Sequence, residues 1–194
     1  MRRPQKKRQK TGRNARRPAA SNKGDGEPRR AEATRLQLKR LDGHRFALQP
    51  PECARDRQDD LDDVTEMIAA GELEIARDEL LYLVSDCRGF LEAHNRLGEL
   101  ALEEGDVPLA RGHFGFAFEI GIESLPKGFC GILPSAVAYN APFFLAGRGL
   151  ARCLIARGQR AEGRKVLEQL ARFDPGEGSI RRLLAELDEA EDRK

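Results

Sequence analysis

Between residues 91 and 118 the apolar positions recur at helical spacing on either side of one polar break. Leu91, His94, Leu97, Leu100 and Ala101 precede it, and Ala110, Phe114, Ala117 and Phe118 follow. Residues three and four apart share one face of a helix, so each run predicts a helix with a single buried stripe. The break is Gly105-Asp106. A glycine just past a helix end adopts left-handed backbone cheaply, and Asp106 can then cap the next helix, with Pro108 tolerated in its first turn. The pattern is that of a helical hairpin. Gly98 and Ala110 would let the two backbones approach where the helices cross, and Phe114 would fill the wider gap one turn further along.

A lone hairpin leaves apolar surface uncovered, so such a pattern is expected to recur at a fixed period. Thirty-four residues upstream, MIAAGELEIARDELLYL places Gly71 for Gly105, Ala76 for Ala110 and Leu80 for Phe114. Downstream, GLARCLIARGQRAEGRKVLEQLARFDP places Gly158, Gly163 and Leu167 in the same roles and adds Pro175. The 53 residues from Gly105 to Gly158 are one period of 34 with an insert of 19.

This arrangement resembles the tetratricopeptide repeat, a 34-residue helix-turn-helix unit with a W-x2-L-G-x2-Y, A-x3-F, A, P pattern. The repeats would run 57–90, 91–124 and 144–177, covering 102 of 194 residues. The middle unit matches best, with Leu97-Gly98, Gly105-Asp106, Ala110, Phe114 and Ala117 in register. The third supplies Leu150-Ala151, Gly158, Leu167 and Pro175, and the first keeps Gly71, Ala76 and Leu80. The chain has no Trp; the family's Trp positions hold Asp60, His94 and Gly147, and its Tyr positions Met67, Ala101 and Leu154. In the first repeat Asp60 and Asp63 fall on positions that are usually apolar while Leu61 and Val64 stand one residue along, which allows a shifted or rotated helix there. The resemblance implies an all-α fold, a solenoid of about three helical hairpins forming a domain over 57–194.

Two flanking elements complete this reading. After Gly178, Ser179 can cap a helix over 179–191 whose stripe Ile180, Leu183, Leu184 and Leu187 faces the last repeat, as the terminal repeat of a stack requires. Residues 41–56 read as a linker or edge segment, in which Pro50-Pro51 forbids helix. The insert, 125–143, is apolar yet carries three prolines and two glycines. Its favoured role is to cover an exposed core edge, with a lid over the groove or a partner contact as the alternatives. Asn140, Ala141 and Pro142 read as the cap and first turn of the next helix.

Charge divides the chain. Residues 1–30 carry twelve Lys and Arg against two acids, and the whole chain nets only +2, so a basic tail is joined to an acidic body. Residues 1–30 lack any Leu, Ile, Val or aromatic residue and cannot bury enough apolar surface to offset their ordering entropy, and the disordered tail is expected to run over 1–40. The greasiest stretch, 129–146, is broken by Pro134 and Pro142, and no membrane span or secretory leader is read. Cys53, Cys87, Cys130 and Cys153 form no C-x-x-C pair and read as four thiols, most of them in the core, which suits the cytoplasm.

No enzyme signature stands out. There is no nucleophile elbow, phosphate loop, zinc-protease motif or dinucleotide fingerprint, and no cofactor or metal set is read. His44, His94 and His113 are scattered; a Cys130–His113 couple is the weak alternative to structural or surface histidines. The expected function is therefore a non-enzymatic protein-protein interaction module. The family resemblance implies that the first helix of each hairpin lines a concave groove. On this chain its contact positions are Leu61, Asp62 and Thr65, then Glu92, Asn95, Arg96 and Glu99, then Leu145, Arg148 and Arg152. The lysines, arginines and asparagines with which chaperone-binding relatives grip a C-terminal carboxylate are missing. The alternative is an adaptor tethered to nucleic acid or another polyanion by Arg2, Arg3, Lys6, Lys7, Arg8, Lys10, Arg13, Arg16 and Arg17, binding without sequence preference because no ring is present to stack on bases. Tetratricopeptide arrays also self-associate, so a homo-oligomer is a further expectation.

Overall fold

The computed structural model describes residues 35–192, and helices dominate them. A two-stranded sheet, β1 (Gln37–Asp42) and β2 (Arg45–Gln49), is followed by a short α1 (Glu52–Arg55). Seven longer helices come next: α2 (Gln58–Ala70), α3 (Leu73–Asp86), α4 (Leu91–Glu103), α5 (Val107–Glu123), α6 (Ala141–Ala156), α7 (Arg160–Phe173) and α8 (Gly178–Asp192). From α2 to α8 each helix packs on the next in sequence, and α4 also meets α6.

The turns are made as the residues require. Gly71, Gly105 and Gly158 stand between the helices of the three pairs with φ of +81°, +79° and +79°. A side chain would be strained in that backbone, which is why glycine is there. The carboxylate of Asp106 accepts the Leu109 amide at 2.9 Å, capping α5.

Apolar stripes meet in two main clusters. Leu61, Val64, Leu80, Leu83, Phe90 and Leu97 pack between α2, α3 and α4. A larger cluster joins Phe118, Phe143, Phe144, Leu167, Leu170 and Phe173 from α5 to α7 with Ile180 and Leu187 of α8. Phe114 bridges α5 to α4 and α6 through Ala101 and Cys153. Leu61 and Val64 are the buried positions of α2, not Asp60 and Asp63, so the first helix is rotated as its acids suggested.

Five expectations are corrected. Residues 35–40 belong to the expected disordered segment, yet β1 begins at Gln37; the rest of that segment, 1–34, lies outside the described residues. The expected linker 41–56 instead carries the end of β1, β2 and α1. The strands are antiparallel with Leu38 opposite Leu48, and Gly43 turns the chain at φ +30°. The signal was present: alternating Leu36, Leu38 and Phe46, Leu48 flank Asp42-Gly43, a pair that favours hairpin turns.

Cys53 and Cys87 are not thiols but a disulfide, their α-carbons 5.7 Å apart. It ties α1 to the corner between α3 and α4, while Cys130 and Cys153 remain free.

Asn140 occupies the cap position of α6, but its side chain makes no cap bond. Fully buried, its Oδ1 accepts the Leu48 amide at 2.8 Å, and its Nδ2 donates to the carbonyls of Phe46 and Pro134, both at 3.0 Å. Buried backbone groups need partners, and this amide supplies three at the seam of hairpin and insert. The insert also lies alongside β2, where the Phe46 amide donates to Ile132 O and the Ile132 amide to His44 O, each at 2.8 Å. Leu133, fully buried, joins the larger cluster, and its amide donates to Phe173 O. The insert thus covers a core edge.

Ser179 is not the cap of α8. Glu177 takes that place, its carboxylate accepting the amides of Ser179 and Ile180 and the Ser179 hydroxyl. A negative charge at a helix N-terminus is favourable. Burial alone would raise the Glu177 carboxyl, but those hydrogen bonds and nearby Arg148 bring it below the usual range.

Candidate partner-binding cleft

Close packing of α4, α5 and α6 depends on two missing side chains. Gly98 of α4 and Gly149 of α6 flank the ring of Phe114, and a β-carbon on either would come within 3 Å of it. The ring sits on Gly98 itself, where the sequence had suggested a place one turn further along. With helices this close, side chains one turn away converge at the surface.

They line a cleft of about 450 Å³. Leu102, Phe114, Leu145 and Leu183 form its apolar wall, and Glu99, Arg148, Arg152, Arg182 and Glu186 carry its charges. Arg148 is already engaged, donating to Ser179 Oγ at 2.9 Å with Glu177 at 4.0 Å. Arg152 and Arg182 are exposed and make no ion pair among the described residues. Glu99 is held by Arg96 at 3.0 Å. Three guanidinium groups against two carboxylates leave a surplus of positive charge beside an apolar surface.

Of the ten expected groove residues, Glu99, Leu145, Arg148 and Arg152 are brought together here. Arg96 stands beside them through its bond to Glu99. Asp62 and Thr65 are exposed on α2, where the Thr65 hydroxyl donates to Leu61 O; Glu92 is half-buried, and burial raises its carboxyl above the ordinary range.

Two expected contacts are excluded. Leu61 is 5% exposed, because α2 turns its narrow apolar stripe inward. Asn95 is 1% exposed and donates to Pro142 O at 2.9 Å, pinning the first turn of α6. Neither can meet a partner.

The α8 residues Ser179, Arg182, Leu183 and Glu186 were not expected in the groove. The stripe of α8 pointed to its packing face, but nothing in that pattern says which neighbouring surface its flank closes over.

Cys130 and His113 line separate hollows and form no couple. Cys130 opens on a hollow of about 890 Å³ between the insert and α7, and His113 on one beside His94. The nine basic residues of the polyanion reading, Arg2 to Arg17, lie outside the described residues. No described helix is long and apolar enough to cross a membrane.

No protein-family model matches the chain, and no curated protein sequence matches it either.

Proposed function

We propose that the protein is a non-enzymatic binding module that holds a segment of another protein in the cleft between α4, α6 and α8. One observation carries this reading: Arg152 and Arg182, unpaired among the described residues, flank an apolar wall of Leu102, Leu145 and Leu183. Such a surface favours a partner segment with acidic side chains next to an apolar one. Charges of this kind steer association and set specificity, while the apolar wall supplies area. The tetratricopeptide resemblance supports the same reading, with the three left-handed glycines and the α4–α6 contact in the places a stack of hairpins needs.

The test is a capture of partners from native lysate, comparing the intact chain with Arg152→Glu/Arg182→Glu and with an Asp62→Lys control on α2. Loss of partners in the first variant alone supports the cleft; an unchanged set contradicts it.

The cytoplasm remains the proposed compartment on the free thiols of Cys130 and Cys153, but the Cys53–Cys87 bond weighs against it, since disulfides persist where surroundings oxidise. Counting free thiols on protein taken from its native cells decides between them.

A further inference from the structure

Where α5 and α7 end and the insert begins, the chain leaves a hollow of about 890 Å³. Two glycines shape it. Gly128 stands at φ +72° in a turn closed by the Phe129 amide on Pro126 O at 3.0 Å, and Lys127, at the tip of that turn, is exposed on the rim. Gly131 has no room for a β-carbon, which would stand 2.5 Å from the ring of Phe46 and 2.6 Å from that of Phe129. Its bare backbone lets those rings meet edge to face at 5.2 Å, while Phe129 reaches Phe173 at 6.1 Å. Phe129 and Phe173, with Ile122 and Leu125, form an apolar floor.

Arg35, Lys127 and Arg172 stand exposed around that floor, and none of them makes an ion pair among the described residues. Glu123 is the one carboxylate in the lining. Closure of the helix ends does not account for the cations. The Ser124 and Leu125 amides donate to Ile120 O and Ile122 O of α5, and the Asp174 and Leu133 amides to Leu170 O and Phe173 O of α7, so backbone groups already serve those ends. Small-molecule sites have this make-up, a concave apolar wall with a few placed polar groups in about 300–1,000 Å³.

We propose that this hollow binds a small amphiphilic carboxylic acid, its apolar body on the Phe129–Phe173 floor and its carboxylate among Arg35, Lys127 and Arg172. The sign of the charge selects the class. An apolar floor alone would accept amphiphiles of either charge, whereas three cations against one carboxylate favour an anion and reject a cation. Guanidinium groups offer paired donors that match a carboxylate, and two of the three cations are arginines. The site shares no residue with the cleft between α4, α6 and α8 and does not rest on it.

Cys130 opens on the same hollow as a free, exposed thiol while Cys153 is buried, so alkylation of Cys130 reports occupancy. The experiment treats the full chain, disulfide intact, with iodoacetamide in decanoate or in decyltrimethylammonium, each below its micelle threshold, and follows the Cys130 adduct by mass spectrometry. Decanoate should slow the reaction severalfold, and decyltrimethylammonium should leave it unchanged. Calorimetric titration should show one decanoate per chain, bound at least about ten-fold more weakly by Lys127→Glu/Arg172→Glu, the loss expected when charge-assisted bonds are removed. Both substituted positions are exposed, so the core is spared. A Cys130 rate indifferent to decanoate, equal protection by the two amphiphiles, or undiminished binding in the double variant overturns the proposal.

Discussion

The ring of Phe114 lies against the bare α-carbon of Gly149, so closely that a β-carbon there would stand 2.5 Å from Cδ1. Across the ring, a β-carbon on Gly98 would meet its far edge at 2.8 Å. Phe114 is 2% exposed, and because the clash reaches Cδ1 the whole ring would have to shift to relieve it. Exposed helical Gly→Ala changes gain up to about 1 kcal/mol, but overpacking a filled core costs about 1–3 kcal/mol. Gly149→Ala should therefore lower stability by about 1–2 kcal/mol in urea unfolding. An unchanged or raised midpoint would mean that the ring is not confined.

Asn140 is the joint between hairpin, insert and α6. Asn140→Ala strands the Leu48 amide and the carbonyls of Phe46 and Pro134 in a buried seam. Leaving such groups unpaired costs about 1–3 kcal/mol each, so a loss of about 3 kcal/mol or more is expected. Hydrogen exchange at Leu48 should accelerate well before that at Leu80 in the other core. Equal acceleration at both would show that the seam does not open by itself.

The Cys53–Cys87 bond closes a loop of 34 residues. Loop-closure entropy assigns it about 3–4 kcal/mol. Treatment with dithiothreitol, or Cys53→Ser/Cys87→Ser, should lower the unfolding midpoint accordingly, while Cys153→Ser in the core leaves the response to reductant intact. A midpoint indifferent to reductant would remove the bond from the account.

Acid should act through His94. Burial, then the neighbouring His113, lower its pKa from 6.5 to about 4, against an opposing hydrogen bond with the backbone of Arg88. A depressed histidine contributes stability that is present above its unfolded pKa and is lost as pH falls from 6.5 through 4. The linked amount is on the order of 3 kcal/mol. Glu92, whose carboxyl is raised by burial, works in the opposite sense, so the wild-type slope is a sum. His94→Gln should lose less stability than wild type between pH 7.5 and 4.5. Parallel slopes would contradict the assignment.

What could be read in advance follows from the range of each interaction. Gly71, Gly105 and Gly158 were legible because a left-handed turn is a local demand that nearly one residue alone meets. Asp106 was legible for the same reason, since its carboxylate caps the amide three residues on. Asn140 was misread as a cap, and Glu177, the actual cap of α8, was missed in favour of Ser179. Asn140 has the spacing of a cap, but its partner Leu48 is 92 residues away and local pattern cannot see it. Glu177 lies two residues before the expected cap and reaches over Gly178. The hairpin at Asp42-Gly43 was visible but fell next to a basic segment whose composition suggested disorder. Cys53 and Cys87 carry no spacing motif, and only the path from α1 to the α3–α4 corner brings them together. In the cleft, Arg148 and Arg152 came from the contact positions that the family resemblance implies, whereas Arg182 depended on where α8 comes to rest.

The central claim is that a partner lies between α6 and α8, and a photoreactive residue placed there tests it most directly. With the cross-linker at Leu145 or at Leu183, both should capture the same partner, and Arg152→Glu/Arg182→Glu should abolish both products. The same group at Leu81, exposed on α3, should capture none of it. Capture from Leu81 but from neither cleft position would place the interaction elsewhere and contradict the account.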